Sequence, residues 1–403
     1  MRPLIHWLSG PAEPRSFPYS VVLEEFHRTG KHFVGKGFLA MLDSARRAVT
    51  SRAADDGDAA TRQLTAFLDV ALDKWDGRYD YCSYLALRLL RLPCGSDDPT
   101  PAAMAGRQSR DRLLVRLVAD ALAFELAAAA RTTDFLPQER PGSAVVAKRC
   151  RLGVRAVTAP LTRLGLAQAV GTGTPASTAA DVHAVARDLV FPGDPSLRLT
   201  MLPVHVTHDE YLFIRVLQSY ECLFAAIADE LRAAVAALAG AAPGTAADRL
   251  GYACDLLRAA GPLFSLLATM QPQSFRTFRQ YTEGASAIQS RSYKLIESLC
   301  RRPEADRLES VAYQSVPEIQ ARVRDGQPTI EQTYRSAVAD GRLSGAEGVL
   351  VARRMAAFAG ALMQWRRTHL RLATRMLGMR SGTGYTEGTP YLAAVSATPV
   401  FTP

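Results

Sequence analysis

Apolar residues recur every three to four positions along most of this chain, a spacing that places them on one face of an α-helix. No run of alternating apolar and polar residues persists long enough to predict a sheet. The pattern therefore predicts an all-α protein. Helices are predicted at 19–52, 60–92, 108–131, 144–168, 208–240, 245–270, 274–300, 328–340 and 344–378.

Clusters of Pro, Gly, Ser and Asp interrupt the helical pattern at 94–107, 133–143 and 171–179. The tail from Ser381 onwards is rich in Gly, Thr and Pro, which predicts a loop or lid rather than a helix. Aromatic, histidine and arginine residues become dense only after the third break. We therefore expect a helical N-terminal region over residues 1–170 and the chemistry in a domain over 180–403.

Composition narrows the function classes. The chain has 403 residues, 48% hydrophobic and 22% charged, which is ordinary for a globular protein long enough to bury a ligand-sized cavity. The formal net charge of +9 comes with no cluster of Lys and Arg interleaved with aromatics, so nucleic-acid binding is not expected. A weak basic field is equally compatible with carboxylate-bearing substrates.

The chain gives no sign of export or membrane insertion. No apolar run reaches the roughly 18 residues of a membrane span, and the first residues meet Pro too early for a signal peptide. The six cysteines are spread singly without a CxxC pair, so we expect reduced, mostly buried thiols and a cytoplasmic location.

Two of the histidine patterns invite a chemical interpretation. His205 and His208 have a spacing that could clamp a metal, although further ligands are not evident and the segment also has the features of a helix entry. His369 lies on the apolar stripe of a predicted helix, one turn after Trp365 and one turn before Ala373. Both a hydrogen-bonded core histidine and a proximal haem ligand need this placement, so periodicity leaves the choice open.

Three segments, in this order, resemble the tryptophan 2,3-dioxygenase family of histidine-ligated haem-dependent aromatic oxygenases. HDEYLFIRVLQSYECLF at 208–224 is similar to the family's HDExLFIxxHQxxELxF. FRTFRQYTEGASAIQSRSYKLIE at 275–297 resembles FxxFRxYLxPASGFQSxQFRxLE. WRRTHLRLATRMLGMRSGTG at 365–384 resembles WRxxHxxxxxRxLGxxxGTGG, and the upstream part of the chain is not covered convincingly.

The second and third motifs imply roles for individual residues. His369 matches the proximal iron ligand, and Trp365 precedes it in the same motif. Thr383 matches a threonine that meets the substrate's ammonium and carboxylate, and Arg279 matches the arginine that binds the carboxylate. A guanidinium suits that role because it offers two parallel donors to a carboxylate. Phe275 matches an aromatic position that lines the pocket.

Ser286 and Ala287 match a Ser-Gly pair at which the backbone approaches haem and substrate closely. The first motif makes Phe213 the match for a distal-side phenylalanine that packs over the indole. It also contains the main departure, because the family's distal histidine falls on Leu217. Leucine cannot accept a hydrogen bond from an indole N–H. This departure suggests a modified or differently seated substrate.

A weaker resemblance lies upstream. DYCSYLALRLL at 80–90 is similar to the family's YxxYLxL segment, which crosses into a neighbouring subunit and closes the pocket there. It would place Tyr81, Tyr84 and Leu85 over the substrate. In the family this segment directly precedes the HDE motif, whereas over a hundred residues intervene here. A plain amphipathic helix explains the same pattern.

The resemblance implies a haem-dependent oxygenase that uses haem b and O2 on tryptophan or a substituted indole, assembled as a homo-oligomer (dimer or tetramer). Two other possibilities are a haem-dependent hydroxylase of tyrosine or methyl-tyrosine and an inactive helical haem- or partner-binding protein. A generic helical binding module without haem is a further one.

Overall fold

The computed structural model describes residues 1–51, 58–92, 94, 106–191, 194, 196–378 and 388–402. No β-strand forms within these ranges, where extended pairing is limited to a parallel bridge between Gln138 and Thr207. The prediction of an all-α protein is confirmed. The α-helices are α1 Arg2–Ser9, α2 Tyr19–Thr29, α3 Lys36–Thr50, α4 Ala59–Ala71, α5 Tyr81–Tyr84, α6 Arg107–Ala129, α7 Ser143–Arg163, α8 Pro175–Asp188, α9 Asp209–Ala239, α10 Pro243–Ala259, α11 Gly261–Leu267, α12 Pro272–Arg279, α13 Arg291–Cys300, α14 Ala305–Leu308, α15 Val311–Gln314, α16 Pro317–Arg324, α17 Ile330–Ala339, α18 Gly345–Leu377 and α19 Thr389–Ala397.

Helix α9 is the centre of the fold. Of its 31 residues, 22 are buried, so it is covered on nearly all sides, as expected of a helix in the core of a large domain. Helices α6, α10, α13 and α17 pack around it, and α18 packs against α10. One hydrophobic cluster joins side chains of α6 and α7 with those of α9, α10 and α18.

The start of α9 is held by a buried ion-pair network. The guanidinium of Arg149, from α7, bonds Glu125 of α6 at 2.7 Å and Asp209 of α9 at 2.6 Å, and all three side chains are buried. The second oxygen of Asp209 accepts the backbone N–H of Gln271 at 2.8 Å, just before α12. This network therefore fixes α12 relative to three longer helices.

Several predicted helices are shorter than the sequence pattern suggested. The predicted helix at 19–52 is broken at Gly30, whose φ of 83° suits glycine and where a Cβ would lie 2.7 Å from the backbone oxygen of Val204. The predicted helix at 60–92 ends at Ala71. The segment at 274–300 contains a turn between α12 and α13.

Two segments predicted as breaks contain helices instead. Helix α8 begins at Pro175, inside the break predicted at 171–179, because Pro fits the first helical turn and Thr174 caps it by accepting the N–H of Ser177. The tail was predicted to be a loop, but α19 forms over Thr389–Ala397, again with Pro in its first turn. Tertiary packing against α18 supports this tail helix.

The expectation of uniformly reduced cysteines is wrong for one pair. After α5 the chain turns through Ala86 and Arg91, both at positive φ, and brings Cys94 back to Cys82 with 5.9 Å between the Cα atoms. The two form a disulfide, while Cys150, Cys222, Cys254 and Cys300 are free and buried.

In the part of the chain that the structure describes, no single helix is long and apolar enough to cross a membrane. One bent pair, Pro243–Leu267 with Pro272–Arg279, reaches that length and composition only when its two arms are combined.

Candidate active site

A cavity lies where α9, α12, α13, α18 and α19 meet, with α5 on one wall. Its volume is about 260 Å³. Ten of the twelve residues that the sequence analysis assigned to the site line this cavity, whereas Leu85 does not line it and Thr383 lies outside the described residues. The ten are Tyr81, Tyr84, Phe213, Leu217, Phe275, Arg279, Ser286, Ala287, Trp365 and His369.

The imidazole of His369 projects from α18 into an aromatic wall. Its ring lies 5.3 Å from that of Trp365 and 6.1 Å from that of Phe264, measured between centroids. Burial lowers the pKa of His369 to about 4, so the ring is neutral at physiological pH. Among the described residues, no hydrogen bond to this imidazole is found, and burial is the only cause of its lowered pKa.

Trp365 forms the centre of that wall. Its indole contacts the rings of Tyr220, Phe224 and Tyr293 at centroid distances between 5.3 and 5.9 Å. Aromatic side chains from α9 and α13 therefore hold the α18 face rigidly beside the cavity.

One face of α9 forms the opposite wall. Phe213 and Leu217 were predicted to lie there, and the same helical spacing continues to Tyr220, Glu221 and Phe224, which also line the cavity. The resemblance assigned roles to the first two residues only. Tyr220, Glu221 and Phe224 lie 7, 8 and 11 residues after Phe213, so extending its helical face by two further turns would have found them.

Helix α12 carries Arg279 at its C-terminal end and Phe275 one turn earlier. Phe275 and Phe278 contact Phe213 of α9 at centroid distances of 5.5 and 5.2 Å. These contacts, together with the Asp209 bond at its start, orient α12 so that the Arg279 side chain lines the cavity.

The turn containing Ser286 and Ala287 is tied to the upstream segment that holds Tyr81. The side-chain oxygen of Gln289 accepts the backbone N–H of Tyr81 at 2.8 Å and that of Ser286 at 3.2 Å. Gly284 allows this approach, since a Cβ there would lie 2.9 Å from the carbonyl oxygen of Tyr79.

Tyr84 lies in the same wall, with its ring 6.5 Å from that of Phe213. Its hydroxyl donates to Glu210 at 3.2 Å, and the same carboxyl oxygen accepts the N–H of Val204 at 2.7 Å. Burial raises the pKa of Glu210 to about 8, opposed by these hydrogen bonds. Tyr81 and Tyr84 thus line the cavity of their own chain. Leu85 does not line the cavity, and its backbone carbonyl accepts a hydrogen bond from the side-chain amide of Gln218.

The alternative zinc pair is not supported by the geometry. The described residues contain no group of three or more His, Cys, Asp or Glu side chains that could hold a metal ion. His205 stacks on Tyr281 and contacts the hydroxyl of Thr207 at 2.6 Å, while the buried His208 lies 3.3 Å from Glu125.

The cavity suits haem. It offers one neutral imidazole without a hydrogen-bond partner among the described residues, on a wall of aromatic and aliphatic side chains. A proximal iron ligand needs a neutral imidazole beside an apolar pocket, because iron binds the lone pair of a neutral ring.

Comparison with known proteins identifies one family. Residues 199–324 match the family model described as tryptophan 2,3-dioxygenase. A protein of that name from Anaeromyxobacter sp. strain K is 26% identical over 226 residues, which cover 48% of this chain and 84% of that protein. Another, from Nocardioides sp. strain JS614, is 29% identical over 221 residues, covering 46% and 79% respectively. A third, from Pseudomonas aeruginosa, is 26% identical over 233 residues, covering 49% and 81%.

Proposed function

Because this chain belongs to the tryptophan 2,3-dioxygenase family, and is a haem-dependent aromatic amino-acid oxygenase, we propose that it oxidises the indole ring of tryptophan or a substituted tryptophan. It uses haem b, with O2 as the co-substrate. One observation carries the proposal: residues chosen from four separate sequence segments line a single cavity.

The roles of the cavity residues follow from their chemistry. His369 would hold the haem iron through its neutral imidazole, with Trp365 packed beside it. Haem, when bound, supplies O2 binding and oxidation of the ring. Ser286 and Ala287 form a tight turn in the cavity wall, at which backbone can approach both ligands.

The substrate's position is set by the remaining residues. Arg279 would bind the carboxylate, and Thr383 would meet the same end of the amino acid. Phe213, Phe275, Tyr81 and Tyr84 would enclose the ring and, with Leu217, exclude water. Insertion of two oxygen atoms would open the pyrrole ring, and insertion of one would give a hydroxylated or oxindole product.

We propose further that residues 1–170 belong to the working enzyme, because Tyr81 and Tyr84 line the cavity beside the domain at 180–403. The family resemblance supports a homo-oligomer, and the departure at Leu217 supports a specialised substrate of secondary metabolism rather than general tryptophan breakdown.

The apolar side chain of Leu217 favours a second candidate. Without an imidazole there to accept an indole N–H, a haem-dependent hydroxylase of tyrosine or methyl-tyrosine is also compatible with the cavity. Mass spectrometry of products from a panel of aromatic amino acids under ¹⁸O₂ separates the two candidates and counts the oxygen atoms inserted.

The haem ligand is tested by His369→Ala. We expect the purified wild-type protein to show a Soret band that the variant loses, because no other histidine among the described residues lines the cavity. His183→Ala is the matched control, since His183 lies on α8 away from the cavity, and it should keep its haem. An unchanged Soret band in His369→Ala would exclude this ligand assignment.

A further inference from the structure

A polar patch interrupts the otherwise aromatic and aliphatic wall of α9. Glu221 lies one helical turn after Leu217 on the same face and lines the cavity, yet its side chain is only 1% exposed. The hydroxyls of Ser290 and Tyr81, which also line the cavity, lie beside its carboxyl group.

One oxygen of this carboxyl group is unsatisfied. Oε1 of Glu221 is buried and has no hydrogen-bond partner among the described residues. An unpaired buried acceptor is unfavourable, so this oxygen calls for a partner such as a water molecule or a ligand group. Burial also raises the pKa of Glu221 to about 7, against the opposing effect of the two hydroxyls.

The terminal torsion of a glutamate has a broad energy minimum, so the carboxyl group can turn Oε1 towards a donor arriving in the cavity. The cavity lining offers no other carboxylate among the described residues. Leu217 and the neighbouring phenyl rings offer no acceptor to a substrate ring that carries an N–H or O–H donor.

We propose that Glu221 is the specificity-determining residue that accepts the hydrogen bond from the substrate's ring, at a site one turn along α9 from the family's distal histidine. The inference rests on the proposed function, since it assumes an aromatic amino acid in this cavity. Both candidate substrate classes carry a hydrogen-bond donor on the ring: the indole N–H of a tryptophan or the phenolic O–H of a tyrosine.

The test measures equilibrium binding, independently of turnover. Dissociation constants are determined by isothermal titration calorimetry on haem-loaded protein for tryptophan against 1-methyl-tryptophan and for tyrosine against O-methyl-tyrosine. Loss of one such hydrogen bond should weaken binding about tenfold, so the wild type should prefer the donor-bearing ligand of one pair by about that factor.

In Glu221→Leu that preference should fall to about twofold or less, since leucine fills similar space but cannot accept a hydrogen bond. Glu221→Gln retains an acceptor oxygen and should keep part of the preference. Glu230→Gln makes the same change on α9 outside the cavity and should keep all of it. Soret absorbance and melting temperature show which variants are folded and haem-loaded.

The outcomes separate this inference from the proposed function. A preference that persists in folded, haem-loaded Glu221→Leu would attribute it to steric fit and overturn the inference alone. The inference alone would also be overturned if the wild type bound each methylated ligand as tightly as its parent amino acid. Failure of the wild type to bind either parent amino acid would overturn both proposals.

Discussion

Arg279 and Arg276 lie three residues apart on α12 but face different surroundings. Arg279 lines the cavity, whereas Arg276 bonds the side chain of Gln273 at 3.2 Å on the exposed side. The two residues therefore form a natural pair for separating substrate binding from effects on the stability of α12.

We expect Arg279→Gln to raise the KM for the amino-acid substrate about 10- to 100-fold, because hydrogen bonds to a charged group contribute about 1.5–3 kcal/mol. Steady-state kinetics at saturating O2 measure this effect. Arg276→Gln should leave KM within about twofold, as expected for an exposed surface contact. Equal increases in both variants would assign Arg279 a structural role.

At the residue scale, the motifs identified the cavity residues to which the resemblance assigns a role and missed motif residues such as Glu221, to which no role was assigned. His369 and Trp365 were found because the WRRTH pattern coincides with an apolar helical stripe. Glu221 was missed because a glutamate in a helix is usually solvated, and only packing shows that this one is buried. Thr383 falls outside the described residues.

Helix α19 covers part of the cavity and is held by polar contacts at both ends. Tyr391, Leu392 and Val395 line the cavity from this helix. The guanidinium of Arg366 on α18 donates to the carbonyl oxygen of Thr398 at 2.8 Å, and Arg307 donates to the hydroxyl of Tyr391 at 3.2 Å.

We expect Tyr391→Phe to loosen α19, because it removes the hydrogen bond from Arg307 while keeping the ring. The cost should be about 1 kcal/mol, seen as roughly fivefold faster amide hydrogen exchange over Thr389–Ala397. Ser396→Ala is the control, since the Ser396 hydroxyl bonds only within its own helix. Similar exchange in wild type and Tyr391→Phe would show that the Arg307 contact does not hold the helix.

At the element scale, the ends of the helices were predictable where the apolar spacing stops with the helix, and not where it continues into a turn. The pattern at 208–240 gave α9 almost to the residue, because apolar spacing persists through it. The end of α4 at Ala71 was missed, because the residues that follow keep an apolar pattern while the chain turns to form the disulfide loop. A local pattern cannot report such tertiary contacts.

Across the whole molecule, Arg149 connects the N-terminal helices to the wall of the active site. It bridges Glu125 and Asp209 and also donates to the hydroxyl of Thr269 at 2.9 Å. Arg149→Met should lower the free energy of unfolding by about 3–5 kcal/mol, because it strands two buried carboxylates.

Urea denaturation followed by circular dichroism measures this loss. Arg151→Met, two residues further along α7 and exposed, should change stability by less than about 0.5 kcal/mol. A similar small change in both variants would mean that the buried network contributes little to the fold.

The position of Tyr81 and Tyr84 has a consequence for whether active sites in an oligomer depend on neighbouring chains. Each chain supplies these two rings to its own cavity, so we expect each copy to act independently of its neighbours. When chains inactivated at His369 are mixed with chains that lack the rings of Tyr81 and Tyr84, we expect no activity to return, whatever the stoichiometry. Rings supplied by a neighbouring chain would instead restore activity, because an intact His369 in one chain would meet intact rings from the other.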